Sequence, residues 1–212
     1  PDAIVEGARQ AAEELGIPIL LVGPPDVLGP LQGDLPVLAA SEVIAMDADP
    51  ATSVRTAKDS SLVRAAEAVR DGKAAMVSAG NTGATMASAL LKTGRIKGVA
   101  RPAIATPIPV FDDTPTVLLD AGANAECSAS WLVQFAQMGA VLARQRYGID
   151  RPRVALLSIG EESSKGSTLV KEAYGLLTER EALAGADAEF VGNVEGRDLM
   201  TAAADVVVTD GF

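Results

Sequence analysis

Five short polar segments, each containing glycine, hold the side chains of this sequence that could handle an anion or a proton. Ser78-Ala79-Gly80-Asn81-Thr82-Gly83-Ala84 combines small residues with hydroxyl and amide donors. At the start of a helix, free N–H groups and the helix dipole favour an anion, so Ser78, Asn81, Thr82 and Gly83 form a candidate phosphate cradle. A tight strand-to-helix turn with Asn81 or Thr82 as its cap accounts for the same residues. Gly160-Glu161-Glu162-Ser163-Ser164-Lys165-Gly166-Ser167 sets Lys165 at the opening turn of a predicted helix, where the dipole disfavours a cation unless an anion joins it. The order Lys-Gly-Ser differs from the Gly-Lys-Ser/Thr of a nucleotide phosphate loop. Asp120-Ala121-Gly122-Ala123-Asn124 offers a carboxylate and an amide for proton transfer or substrate orientation, or for stabilising its own turn. Asn193 and Arg197 in Gly192-Asn193-Val194-Glu195-Gly196-Arg197-Asp198 could grip phosphate or a carboxylate, and Arg197 could equally pair with Glu195 or Asp198. Asp210-Gly211 is the fifth segment.

Composition narrows the chemistry. The 212 residues contain no histidine, so no imidazole serves as general base, proton shuttle or metal ligand, and a serine-histidine triad is excluded. One cysteine, Cys127, allows neither an intrachain disulfide nor a Cys/His zinc site, and two neighbouring carboxylates are too few for a dedicated metal site. Cys127 falls near a predicted helix start, where thiolates are favoured, but it lacks a histidine partner. A net charge of −10 argues against a nucleic-acid surface. Neither a run of ~20 apolar residues nor a basic leader with an apolar stretch is present, and a cytoplasmic protein is expected. Arg95, Lys97 and Arg101 form a small basic cluster.

These segments need a scaffold that brings them together. Apolar spacing predicts helices over 2–15, 62–69, 84–91, 128–147 and from 169 to 177, the fourth with Trp131, Phe135, Met138 and Leu142 in one stripe. Short apolar runs at 19–22, 37–39, 75–78, 116–120, 153–159, 189–191 and 206–209 predict strands. Alternating strands and helices imply a single α/β domain over 1–212, three layers with a mostly parallel sheet in the middle. In such sheets ligands bind beyond the carboxyl ends of the strands, where the five segments fall.

Taken in order, SAGNTGA at 78–84, GRIKGVARPAIA at 94–105, LLDAGAN at 118–124, RVALLSIGEESSKG at 153–166, FVGNVEGRDL at 190–199 and ADVVVTDGF at 204–212 resemble the bacterial acyl-acyl-carrier-protein phosphate acyltransferase family of phospholipid synthesis. The resemblance implies an isocitrate/isopropylmalate dehydrogenase-like fold related to phosphotransacetylases, and acyl phosphate made from inorganic phosphate and the fatty acyl thioester of acyl carrier protein. It implies no cofactor, a homodimer, peripheral association with the inner face of the membrane, and further family segments before Pro1 and after Phe212. On this reading Ser78, Asn81, Thr82 and Gly83 bind phosphate and Lys165 assists electrostatically. Arg197 and Asn193 contact phosphate or the oxyanion, and Asp120, Asn124 and Asp210 orient them. Arg95, Lys97 and Arg101 become candidates for docking the acidic carrier. The rival readings are a phosphotransacetylase acting on short acyl-coenzyme A, a non-catalytic binding fragment, and a NAD-dependent dehydrogenase, the last weakened by the missing G-x-G-x-x-G fingerprint.

Overall fold

The computed structural model describes residues 1–72, 75–179 and 181–212. The chain divides into two compact units, 1–96 and 97–212.

In the first unit, α1 (Asp2–Leu15) ends where Gly16 takes the left-handed conformation at φ 63. Of the five residues whose spacing predicts its apolar face, only Val5 is buried; it packs with Leu21 and Leu28. β1 (Leu21–Gly23) pairs in parallel with β2 (Val37–Ala39), with the short α2 (Pro25–Leu28) between them. α3 (Pro50–Thr56) starts from the Asp49 cap, with proline at its first position. α4 (Ser61–Arg70) and α5 (Thr82–Lys92) join α3 around Ile44, Val54, Leu62, Val63 and Ala84. Glu67 bridges α4 to α5 through Lys92 Nζ at 2.8 Å. The predicted strand at 75–78 does not form. That run joins no sheet and Val77 is 99% exposed, because apolar character alone supplies no hydrogen-bonding neighbour.

The second unit carries a five-stranded sheet in the order β3-β4-β7-β5-β6. Its strands are β3 (Ala105–Ile108), β4 (Thr116–Leu119), β5 (Arg153–Leu157), β6 (Glu189–Val194) and β7 (Val206–Val208). Only the edge strand β3 runs antiparallel. The mostly parallel α/β architecture expected from the alternation of elements is present. Val206, Val207 and Val208 are all buried, as a central strand covered on both faces requires.

α6 (Ala129–Tyr147) and α7 (Thr168–Leu177) pack on the face bearing Val154, Leu156, Val206 and Val208. The buried side of α6 is Leu132, Phe135, Ala136, Gly139, Ala140 and Ala143, so the predicted stripe is rotated: Phe135 is inside, Trp131 half-buried, and Leu142 37% exposed. Small residues are buried there because helix and sheet approach closely. A Cβ on Gly139 would stand 2.5 Å from Val206 Cγ1.

β6 runs further than its sequence suggests. Its register against β5 slips between Val154↔Phe190 and Ala155↔Gly192, which leaves Val191 as a bulge next to Gly192 at φ 103. Gly192, Asn193 and Val194, expected in a loop, are therefore strand residues.

Candidate functional site

The parallel strands β4, β7, β5 and β6 end at one edge of the second unit's sheet. Asp120, Asp210, the 158–167 segment and the 195–198 turn follow one another along that edge.

Asp120 is 1% exposed, and each of its oxygens accepts twice. Oδ1 takes the N–H of Ile104 at 2.9 Å and of Ala123 at 3.0 Å, while Oδ2 takes the N–H and the Nδ2 of Asn124, both at 2.8 Å. Asn124 Nδ2 also donates to Pro102 O at 2.8 Å, and the Asn124 carbonyl receives the Gly211 N–H at 2.7 Å. Asp120 and Asn124 thus brace the loops after β4 and β7 against each other, with half-buried Asp210 alongside. Cys127 Sγ lies 3.6 Å from Asn124 O. Burial, and then the charges of Asp120 and Asp210, push its thiol above the ordinary cysteine range, so the expected thiolate character is absent.

Lys165 is exposed and makes no ion pair with the described residues. It precedes α7 instead of opening it, because Ser167 caps the helix by accepting the Val170 N–H. Its side-chain stem crosses buried Gly160, where a Cβ would meet Lys165 Cγ at 3.0 Å. Gly166, at φ 91, leaves room for Ser158: a Cβ there would lie 2.9 Å from Ser158 Oγ. The Glu162 carbonyl accepts the Lys165 N–H at 3.0 Å and Asn193 Nδ2 at 2.9 Å. Ser158 Oγ and Asn193 Oδ1 are buried without a hydrogen-bond partner among the described residues. Ser158 was not among the residues singled out from the sequence; its signal is a polar residue closing the apolar run RVALLS at a strand's carboxyl end.

Arg197 is 71% exposed and pairs with Glu195 at 3.3 Å and Asp198 at 3.9 Å. Those carboxylates cap the short turn 196–200 reciprocally, so the surface-pair reading describes this arginine.

In the first unit Asn81 is 6% exposed and engaged at both ends. Oδ1 caps α5 by accepting the Ala84 N–H at 2.9 Å, and Nδ2 donates to the carbonyls of Ala45, Met46 and Ala48. Ser78 Oγ accepts the Gly80 N–H at 3.1 Å. Gly83 packs on Pro50, whose Cγ would be 2.6 Å from an added Cβ, and Thr82 is exposed. Asn81 and Gly83 therefore secure the start of α5, and Thr82 is the hydroxyl it presents to solvent. Among the described residues no group of three or more carboxylates and thiols is placed to hold a metal.

Comparison with known proteins follows the same lines. The model of the family described as "Fatty acid synthesis protein" matches residues 1–212. A phosphate acyltransferase of Heliobacterium modesticaldum is 52% identical over 221 residues, covering 100% of this chain and 64% of its own length. The chain spans 61% to 64% of the length of that and similar curated relatives. Among solved structures, a branched-chain phosphotransacylase from Enterococcus faecalis V583 gives a TM-score of 0.65 at 16% identity, over 98% of this chain and 75% of that one. EutD phosphotransacetylase from Staphylococcus aureus gives 0.56 at 16% identity, over 91% and 69%. At such identity the two structures bear on the fold, and it is the phosphotransacetylase-related fold that the sequence led us to expect. With a family model spanning every residue, the chain belongs to the fatty acid synthesis protein family, whose relatives named here are phosphate acyltransferases.

Proposed function

We propose that this protein catalyses acyl transfer from the fatty acyl thioester of acyl carrier protein to inorganic phosphate, giving acyl phosphate. The observation that carries the reading is Lys165, an exposed ammonium without an ion pair among the described residues, at the carboxyl edge of a parallel sheet. A phosphate oxygen attacks the thioester carbonyl, the C–O bond forms, and the C–S bond breaks with its electron pair going to sulfur. The proton that phosphate carries ends on that sulfur. Phosphate has its second pKa near neutrality, by analogy with the ~6 of a phosphoryl monoester, so much of it is already a dianion, and a chain without histidine needs no strong base. What the protein must supply is a cation for the developing charge, backbone donors, and alignment of two substrates. Lys165 supplies the first, and the start of α7, in the same unit, is the candidate phosphate donor beside it. Asp120, Asn124 and Asp210 act by holding the loops, and Arg197 is in second rank because its charge is already answered by Glu195 and Asp198. On the same reading the enzyme is a cytoplasmic homodimer that associates peripherally with the inner membrane face; no described helix is long and apolar enough to cross a membrane.

The test is direct. The full-length protein is mixed with acyl carrier protein thioester and phosphate, and acyl phosphate is trapped as the hydroxamate. Lys165→Ala is expected to lower turnover by roughly 10²-fold, the loss typical of one electrostatic donor. No phosphate-dependent hydroxamate would overturn the acyltransferase reading, and unchanged turnover would remove Lys165 from it. The second reading, a phosphotransacetylase, is favoured by the fold shared with phosphotransacylases. Faster phosphate-dependent turnover of acetyl-coenzyme A than of the long-chain carrier thioester would establish it instead.

A further inference from the structure

Asn193 occupies a costly position. It lies in the interior of β6, 6% exposed, and its Oδ1 is buried with no partner among the described residues. Its Nδ2 donates to the Glu162 carbonyl at 2.9 Å, which fixes the sense of the amide, since the reverse placement would set two oxygens at that distance. The same carbonyl accepts the Lys165 N–H at 3.0 Å and so closes the turn from 162 to 165.

The backbone has been shaped to deliver this contact. Continued without interruption, the register Val154↔Phe190 would set Asn193 beside Leu157, on the opposite face of the sheet. The extra residue at Val191, with Gly192 at φ 103, sets it beside Leu156 instead, on the face where α6 and α7 pack. A bulge commonly re-aims a side chain near a functional site.

We infer that Asn193 is a positioning residue: with the β6 bulge, it fixes the 162–165 turn and thereby the place of the Lys165 ammonium, without touching substrate itself. The inference rests on the acyltransferase reading above and deepens it. The orphaned Oδ1 is what the device leaves over, because only an amide on this strand reaches the Glu162 carbonyl with a donor.

A double-mutant cycle on the full-length protein tests it, with phosphate and the carrier thioester as substrates and hydroxamate as the readout. Asn193→Asp keeps the side chain's size and removes the donor. It is expected to lower kcat by about 10- to 100-fold, the scale of an ångström's misplacement, with both KM values moving less than about threefold. Asn193→Gln, which keeps the donor, should recover part of that loss. In a Lys165→Ala background, Asn193→Asp should cost less than about twofold more, because the two residues act as a unit. Gly192→Ala, which disturbs the bulge, should show the same non-additivity and stands in if the Asn193 variants fail to fold. Additive losses, or a rise in phosphate KM with kcat intact, would overturn the inference. If the wild-type protein makes no phosphate-dependent hydroxamate, the acyltransferase reading itself falls.

Discussion

The polar side chains of the sheet edge divide by what they already hold. Asp120 answers four donors of its own chain, so its work is architectural. Asp120→Ala leaves three backbone N–H groups and the Asn124 amide without their acceptor and should cost at least ~3 kcal/mol, read from the urea midpoint. Cys127 gives a sharper electrostatic prediction. Its thiol is held up by burial first, then by Asp120 and Asp210, which means its thiolate forms only above the ordinary cysteine range. Alkylation by iodoacetamide, followed by mass against pH, should therefore be slow at neutral pH and rise late. Asp210→Asn removes one of the two negative charges and should move that rise to lower pH. An unmoved profile would show that the Asp210 charge does not reach the thiol.

At the scale of elements, α6 approaches β7 closely at Gly139. Gly139→Ala drives a methyl to 2.5 Å from Val206 Cγ1. The helix must lift from the sheet, and the loss should be about 1–3 kcal/mol, measured as a fall in Tm with the far-ultraviolet spectrum preserved. Such contacts separate what the sequence discloses from what it withholds. α1, α4 and β2 follow from apolar spacing and, for α1, a glycine stop, all local signals. β3 was missed because Pro107 interrupts its pattern, tolerated only because β3 is an edge strand. α3 escaped notice although Asp49 and Pro50 mark its start, since seven residues carry little periodicity. The rotation of the α6 stripe, the β6 bulge and the unpaired 75–78 run depend on partners distant in sequence, which spacing cannot report. The candidate site divides likewise. The segments after β4, β7, β5 and β6 lie along the sheet edge as expected, whereas the 78–84 segment follows no described strand and belongs to the first unit; the inward use of Asn81 and Asn193 is a tertiary fact, because an exposed asparagine and a buried one have the same letter.

At the scale of the whole chain, the governing quantity is the net charge of −10, which on the proposed function faces an acidic carrier protein. Encounter is opposed by the summed field, so docking requires a local positive patch whose range is shorter than that repulsion. Lys97 and Arg101 are exposed, and Arg101 lies 4.9 Å from the Trp131 ring centre, a stacking that holds its guanidinium in place at the surface. Salt then provides a test with a sign. In the wild-type protein, added salt should change the KM for the carrier thioester little, because screening removes diffuse repulsion as well as part of the attraction at contact, and the two losses oppose each other. Reversing both charges, Lys97→Glu with Arg101→Glu, leaves repulsion alone. At low ionic strength the variant's KM for the thioester should rise by about tenfold, and it should fall as salt is added, since screening across the ~8 Å Debye length near 0.15 M now only helps. The KM for phosphate, a small ion that the proposed function places beside Lys165, should hold within about twofold. An unaltered thioester KM at low salt would place carrier docking on another face of the protein.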